Sequence, residues 1–166
     1  MQDSRPITIG YDGSAFATAA LRNGLGLAAK LGLPVRIVRA WTISNAPRPA
    51  SWTAGFVPPV EDFAETVRQQ VTEQIAPVVA EYPDVEIDIQ VPHGAAGREL
   101  IRASRDSRLI VVGTRGLGGF SGLLIGSVSQ QLVEHAACDV LVTRRPDGDQ
   151  APPRELQLDA VIETVS

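Results

Sequence analysis

Two hydrophobic periods alternate along this chain. Short apolar runs follow one another at strand length, and between them apolar residues recur every three or four positions, the spacing of one helix face. Residues 7–11 are apolar and β-favouring, and the turn Asp12-Gly13-Ser14 closes them, so they predict a first strand. From 15 to 31, Ala19, Ala20, Leu21, Leu25, Ala28 and Leu31 fall near helical spacing. Ser14 or Asp12 stands where a cap belongs, and Gly32 where such a helix ends. Residues 35–41 predict a second strand. Residues 43–60 hold Pro47, Pro49, Pro58 and Pro59 with Trp52 and Phe56, and predict a long loop. Helical period returns over 61–82, with Phe63, Val67, Val71, Ile75 and Val78 on one face; Pro77 predicts a kink or a break in its last turn. Residues 85–91 alternate strictly and predict a half-exposed third strand. Then come a helix over 95–105, a strand over 108–113, a helix over 126–137 and a strand over 139–143.

Strands that alternate with helices of this length imply an α/β fold: a five-stranded parallel sheet with helices on both faces, doubly wound, in a flavodoxin-like or related order. Ligands of such sheets sit beyond the carboxyl ends of the strands, where the winding reverses. Asp12 follows the first strand and Gly113 the fourth. If those two strands are neighbours, both residues face one crevice.

The 166 residues fit one domain over 1–145. Residues 146–153 read as a linker. Leu156, Leu158, Ala160, Val161, Ile162 and Val165 follow as a short apolar segment, either a strand added to a sheet edge, its own or a partner's, or an unordered end. A net charge of −4 argues against a general nucleic-acid binder. No apolar run approaches the ~18 residues of a membrane span, and no leader pattern precedes the first strand, so a cytoplasmic protein is expected. Cys138 is the single cysteine, which rules out an internal disulfide, and its apolar neighbours suggest a buried small hydrophobe.

The richest chemistry lies between residues 113 and 129. The apolar run 109–112 opens into Gly113-Thr114-Arg115-Gly116; nine residues later come Gly126-Ser127, at the head of a helix. Glycines let a backbone approach a phosphate closely, and the first N–H groups of a helix have no internal partner and attract negative charge. A phosphate ester, most simply a nucleotide, is therefore expected. Gly113 and Gly116 would lie against phosphate or ribose. Gly126, Ser127 and Val128 would supply N–H groups, and the Ser127 hydroxyl another donor. Arg115 would neutralise charge or point to solvent. The plain alternative is a glycine-rich turn with Ser127 as an N-cap. Asp12, at a strand end, suits ribose hydroxyls or a Mg²⁺ bridging phosphates, or else simply closes its turn.

The pattern Gly-x-x-Gly, nine residues, Gly-Ser after a fourth strand resembles the ATP-binding signature of the universal stress protein family. The stretch 116–130 extends the likeness, 9–14 looks like the family's first strand and turn, and 138–142 like its last strand. The resemblance implies a homodimer of α/β domains of the adenine nucleotide alpha hydrolase-like kind, with ATP and Mg²⁺ in the crevice and a role in stress response through a protein partner. By motif position it implies Asp12 at the ribose or metal. Ala40, where the family often has a branched residue, would offer backbone groups to adenine. Gly113, Gly116, Gly126, Ser127 and Val128 would lie around ribose and phosphates. Gly10, Gly13, Thr114, Arg115 and Ser129 complete the candidate binding set.

Other patterns exclude more than they add. Gly24-x-Gly26-x-x-Ala29 imitates a dinucleotide fingerprint but lies inside a helix pattern, where its mechanism fails. There is no P-loop and no nucleophile elbow. His93 and His135 have no neighbouring ligands; His93 falls in a strand-to-helix loop that could border the crevice. Trp52 and Phe56 could close over a ligand, pack on a partner, or pin the long loop to its own domain. Three functions stay open: an ATP-binding module, a slow ATPase or nucleotide-transferring enzyme, and an interaction dimer without nucleotide. The scarcity of charge near the site, one arginine and one aspartate, favours the first.

Overall fold

The structure, a computed structural model, describes residues 4–115 and 125–144. Its strands are β1 (Ile7–Gly10), β2 (Val35–Val38), β3 (Ile87–Gln90), β4 (Leu109–Gly113) and β5 (Asp139–Thr143). Its helices are α1 (Ala15–Leu31), α2 (Val60–Val79), α3 (Ala96–Ala103), prolonged by a 3₁₀ turn at Ser104–Asp106, and α4 (Ser127–His135). All strand pairs are parallel, in the order β3-β2-β1-β4-β5. This is the doubly wound α/β sheet expected from the pattern.

Local signals fix the element ends. Ser14 caps α1, its hydroxyl accepting from the Ala17 N–H at 3.1 Å. Gly32 ends α1 in the left-handed region at φ 64°, and its N–H returns to the Ala28 carbonyl. α2 runs through Pro77 and ends at Val79, three residues short of its pattern. β2 and β3 are shorter than their apolar runs. Beyond Val38 the two segments stay joined by the Arg39 and Trp41 N–H groups, which donate to the Gln90 and Pro92 carbonyls, and by the isolated bridge of Trp41 with His93.

Side-chain alternation gives the sheet two cores. Ile7, Ile9, Val35, Ile37 and Val111 pack under α1 and α2 with Leu21, Leu25, Phe63, Val67 and Val71. Val38, Ile110 and Val112 pack under α3 and α4 with Leu100 and Leu132. Thr8 also lies buried in the sheet and shares a 2.7 Å hydrogen bond with Ser107, so its hydroxyl is satisfied. Leu132 anchors α4 and is wholly buried. Leu132→Ala should lower stability by about 2–5 kcal/mol in urea unfolding. A loss under about 1 kcal/mol would mean that α4 is held by something other than this contact.

The long loop is pinned rather than open. Trp52 meets Phe63 of α2 edge-on at 5.9 Å, Phe63 stacks on Trp41 at 6.0 Å, and Arg48 lies over the Trp52 ring. Phe56 stays outside this cluster, more than half exposed. Cys138 is half-buried rather than buried. Desolvation pushes its thiol up from the ordinary value.

Candidate functional site

The chain winds from β1 through β2 to β3 in one direction, then crosses to β4 and β5 on the other side of β1. The reversal falls between β1 and β4, which pair directly through Ile7–Leu109 and Ile9–Val111. A crevice therefore opens beyond the carboxyl ends of these two strands. Asp12 follows β1 and Gly113 ends β4, the two neighbouring strands at this reversal.

Two helices start at this crevice, and their N-termini differ. At α1 the Ser14 hydroxyl already occupies the Ala17 N–H. At α4 no described side chain caps the first turn. Among the described residues, the α4 terminus is thus the one whose N–H groups and dipole remain for an anion. Its donors are narrower than the motif suggested. Gly126 is the N-cap, with φ −73° and ψ 161°, and its own N–H goes to the Thr114 carbonyl at 2.6 Å. Among the described residues, the unpaired donors therefore begin at Ser127 and continue through Val128. Ser127 is the first helical residue, not the N-cap.

Several candidate residues do scaffolding work. The Thr114 N–H donates to the Thr143 carbonyl at 2.9 Å, which locks the start of the loop to β5. The buried Ser129 hydroxyl donates to the Gly113 carbonyl at 2.7 Å and ties the first turn of α4 to the end of β4. A Cβ on Gly113 would stand 2.7–2.8 Å from Phe16, including its backbone carbonyl. One on Gly10 would stand 2.9 Å from Val112. Both glycines are demanded by packing whether or not a ligand is near. Gly13 has φ +86°, a conformation side chains disfavour, and completes the turn in which Asp12 Oδ1 accepts the Ser14 N–H at 2.9 Å.

Ala40 lies buried two residues past the end of β2. Its neighbours Arg39 and Trp41 donate to the Gln90 and Pro92 carbonyls, whereas neither the N–H nor the C=O of Ala40 has a partner among the described residues. Such a pair, one donor beside one acceptor at a strand end, can read the edge of a heterocyclic base. Arg115 is half-buried after β4; Gly116 lies outside the described residues.

Sequence reasoning missed Gln74. Its side-chain amide stands 3.2 Å from the position of a Cβ on Gly13, so α2 reaches the Asp12 turn. Nothing in the sequence marks it, because an exposed polar position on a helix reads as solvated surface. His93 is exposed, with its ring 4.6 Å from that of Trp41; His135 ends α4 at the surface.

The described residues form a doubly wound α/β sheet whose winding reverses between β1 and β4. Comparison with known proteins makes this specific. The family model for the universal stress protein family matches residues 4–144, and the chain belongs to that family. A universal stress protein of Mycolicibacterium smegmatis is 31% identical over 147 residues, 86% of this chain and 47% of the relative. The chain spans about half the length of the curated relatives it matches. Among solved structures, the universal stress protein UspA from Lactobacillus plantarum superposes with TM-score 0.67 at 19% identity, covering 87% of this chain and 100% of that one. A universal stress protein from Archaeoglobus fulgidus in complex with dAMP superposes with TM-score 0.59 at 18% identity, covering 85% and 98%. At these identities the structures establish the fold.

Proposed function

We propose that the chain is a nucleotide-binding module that holds ATP with Mg²⁺ in the β1–β4 crevice. The N-terminus of α4, uncapped among the described residues and reached from β4 at the switch point, is the observation that carries this reading. Phosphates would accept from the Ser127 and Val128 N–H groups. Ribose would lie against the Asp12 turn, and adenine would read the Ala40 backbone. The dAMP held by the Archaeoglobus fulgidus protein supports an adenine nucleotide.

Mg²⁺ fits the donors. It keeps several waters and usually takes one or two carboxylates plus phosphate oxygens, and Asp12 supplies a carboxylate at the right end of the sheet. The described residues contain no cluster of three or more metal-ligating side chains, so the ion would arrive with the nucleotide. Bound there, it would neutralise phosphate charge. Fast phosphoryl transfer would further need a positioned base and a cationic clamp. We therefore read the site as one for binding, with hydrolysis slow at most.

The same reading includes a homodimer, stress-responsive partner binding and a cytoplasmic setting. β5 is an outer strand, with Leu141 exposed on it and Val133 exposed on the adjoining α4, the side a second copy would cover. Among the described residues no helix is long and apolar enough to cross a membrane.

Calorimetry with ATP and Mg²⁺ should give saturable heat at one nucleotide per chain. At nucleotide one hundred times above Kd, stability should rise by about 2.7 kcal/mol, read as a higher melting temperature. No heat and no shift at about 1 mM ATP, a level that would occupy any site of biological affinity, would remove the proposal.

A further inference from the structure

Arg98, Arg102 and Arg105 form a stripe on the outer side of α3 and its 3₁₀ extension. They are spaced four and three apart, so they share one face, and all three are exposed. Gly97 and Leu100 bury the opposite face. None of the three arginines has an ion-pair partner among the described residues, whereas Arg22 pairs with Glu81, Arg36 with Asp106 and Arg108 with Asp139. Glu99 does not neutralise them: its side chain turns toward Gly94 in the loop before the helix. Like charges at such spacing repel and weaken a helix unless counter-charge arrives.

The counter-charge is in the same chain. Of 19 acidic and 15 basic residues, five acidic (Asp147, Asp149, Glu155, Asp159, Glu163) and one basic (Arg154) fall in 146–166. That segment therefore carries −4, and residues 1–145, with 14 of each sign, are neutral. Glu155, Asp159 and Glu163 recur every four positions, close to the spacing of the arginines. The chain leaves β5 at Arg144, at the carboxyl end of the sheet, and α3 begins at that same end, one helix beyond α4. That step is about 10 Å, and ten extended residues span roughly 33 Å. Tethering holds the segment at an effective concentration of order millimolar, so weak charge pairing suffices.

We propose that the acidic segment 146–166 docks in cis along the Arg98-Arg102-Arg105 stripe. This goes beyond nucleotide binding and does not depend on it. The docked segment is a polyanion held within reach of the phosphate end of the crevice, and it shields α3 from foreign polyanions.

The chain has a single lysine, Lys30, which makes a clean test available. Carbodiimide joins carboxylates to amines without a spacer. In full-length Arg102→Lys, it should couple position 102 to Glu155, Asp159 or Glu163. The yield should exceed that at Lys30 by about fivefold and be independent of protein concentration, as tethering requires. It should fall by about threefold or more when salt is raised to about 0.5 M. Adding Arg98→Glu and Arg105→Glu to the same variant should reduce it similarly. Coupling at position 102 no greater than at Lys30 overturns the proposal and leaves the stripe to a foreign polyanion. A yield that rises with protein concentration overturns docking in cis.

Discussion

Gly113→Ala should destabilise the nucleotide-free protein by about 1–3 kcal/mol, the usual cost of forcing a methyl into a packed core. The new Cβ would stand 2.7–2.8 Å from Phe16 Cβ, carbonyl carbon and carbonyl oxygen. Two of those atoms are backbone at the first turn of α1, so no side-chain rotation relieves the clash, and α1 must move away from β4. That movement would disturb the Ser129–Gly113 hydrogen bond and the Ser14 cap on the neighbouring turn. Urea unfolding without ligand is the deciding measurement. If stability is unchanged and only nucleotide affinity drops, Gly113 serves ligand approach and its packing role is wrong.

The same residue shows where sequence reading stops. A glycine that ends an apolar run and opens a glycine-rich loop looks like a place for a phosphate to approach the chain. Its nearest neighbour is Phe16, almost a hundred residues earlier, and only the parallel pairing of β1 with β4 brings the two together. The order of elements and the two faces of the sheet were legible because they follow from periodicity and crossover rules; the adjacency of β1 and β4, on which the convergence of Asp12 and Gly113 depends, was not, since sequence alone does not fix strand order. α1 and β5 match their apolar patterns end to end. β2 and β3 are shorter than theirs, although Arg39 and Trp41 still donate to the Gln90 and Pro92 carbonyls beyond the two strands. Gln74 was invisible because an exposed helix position reads as polar surface until α2 is laid beside the Asp12 turn. The division of labour within the loop was equally hidden. A serine two residues into a helix gives no sign whether its hydroxyl faces a ligand or, as here at Ser129, a carbonyl of the preceding strand.

Gly126→Val should behave in the opposite way to Gly113→Ala. At φ −73° and ψ 161° the Gly126 backbone is open to any residue, and its N–H bond to Thr114 survives a side-chain change. Valine is a poorer N-cap than glycine, so a stability loss of up to about 1 kcal/mol is expected. Nucleotide affinity should fall far more, by about a hundredfold or beyond, equivalent to about 2.7 kcal/mol. The branched side chain would stand at the entrance to the Ser127 and Val128 N–H groups, where the phosphates of a bound nucleotide must come close. Calorimetry with ATP and Mg²⁺ on the wild type and this variant, with urea unfolding of both, separates the two effects. A variant that folds normally and binds as tightly as the wild type would place the phosphates away from α4. A variant that loses several kcal/mol of stability would mean that Gly126, like Gly113, is there for packing. Only the pairing of near-normal stability with lost binding fits an anion held by the uncapped helix.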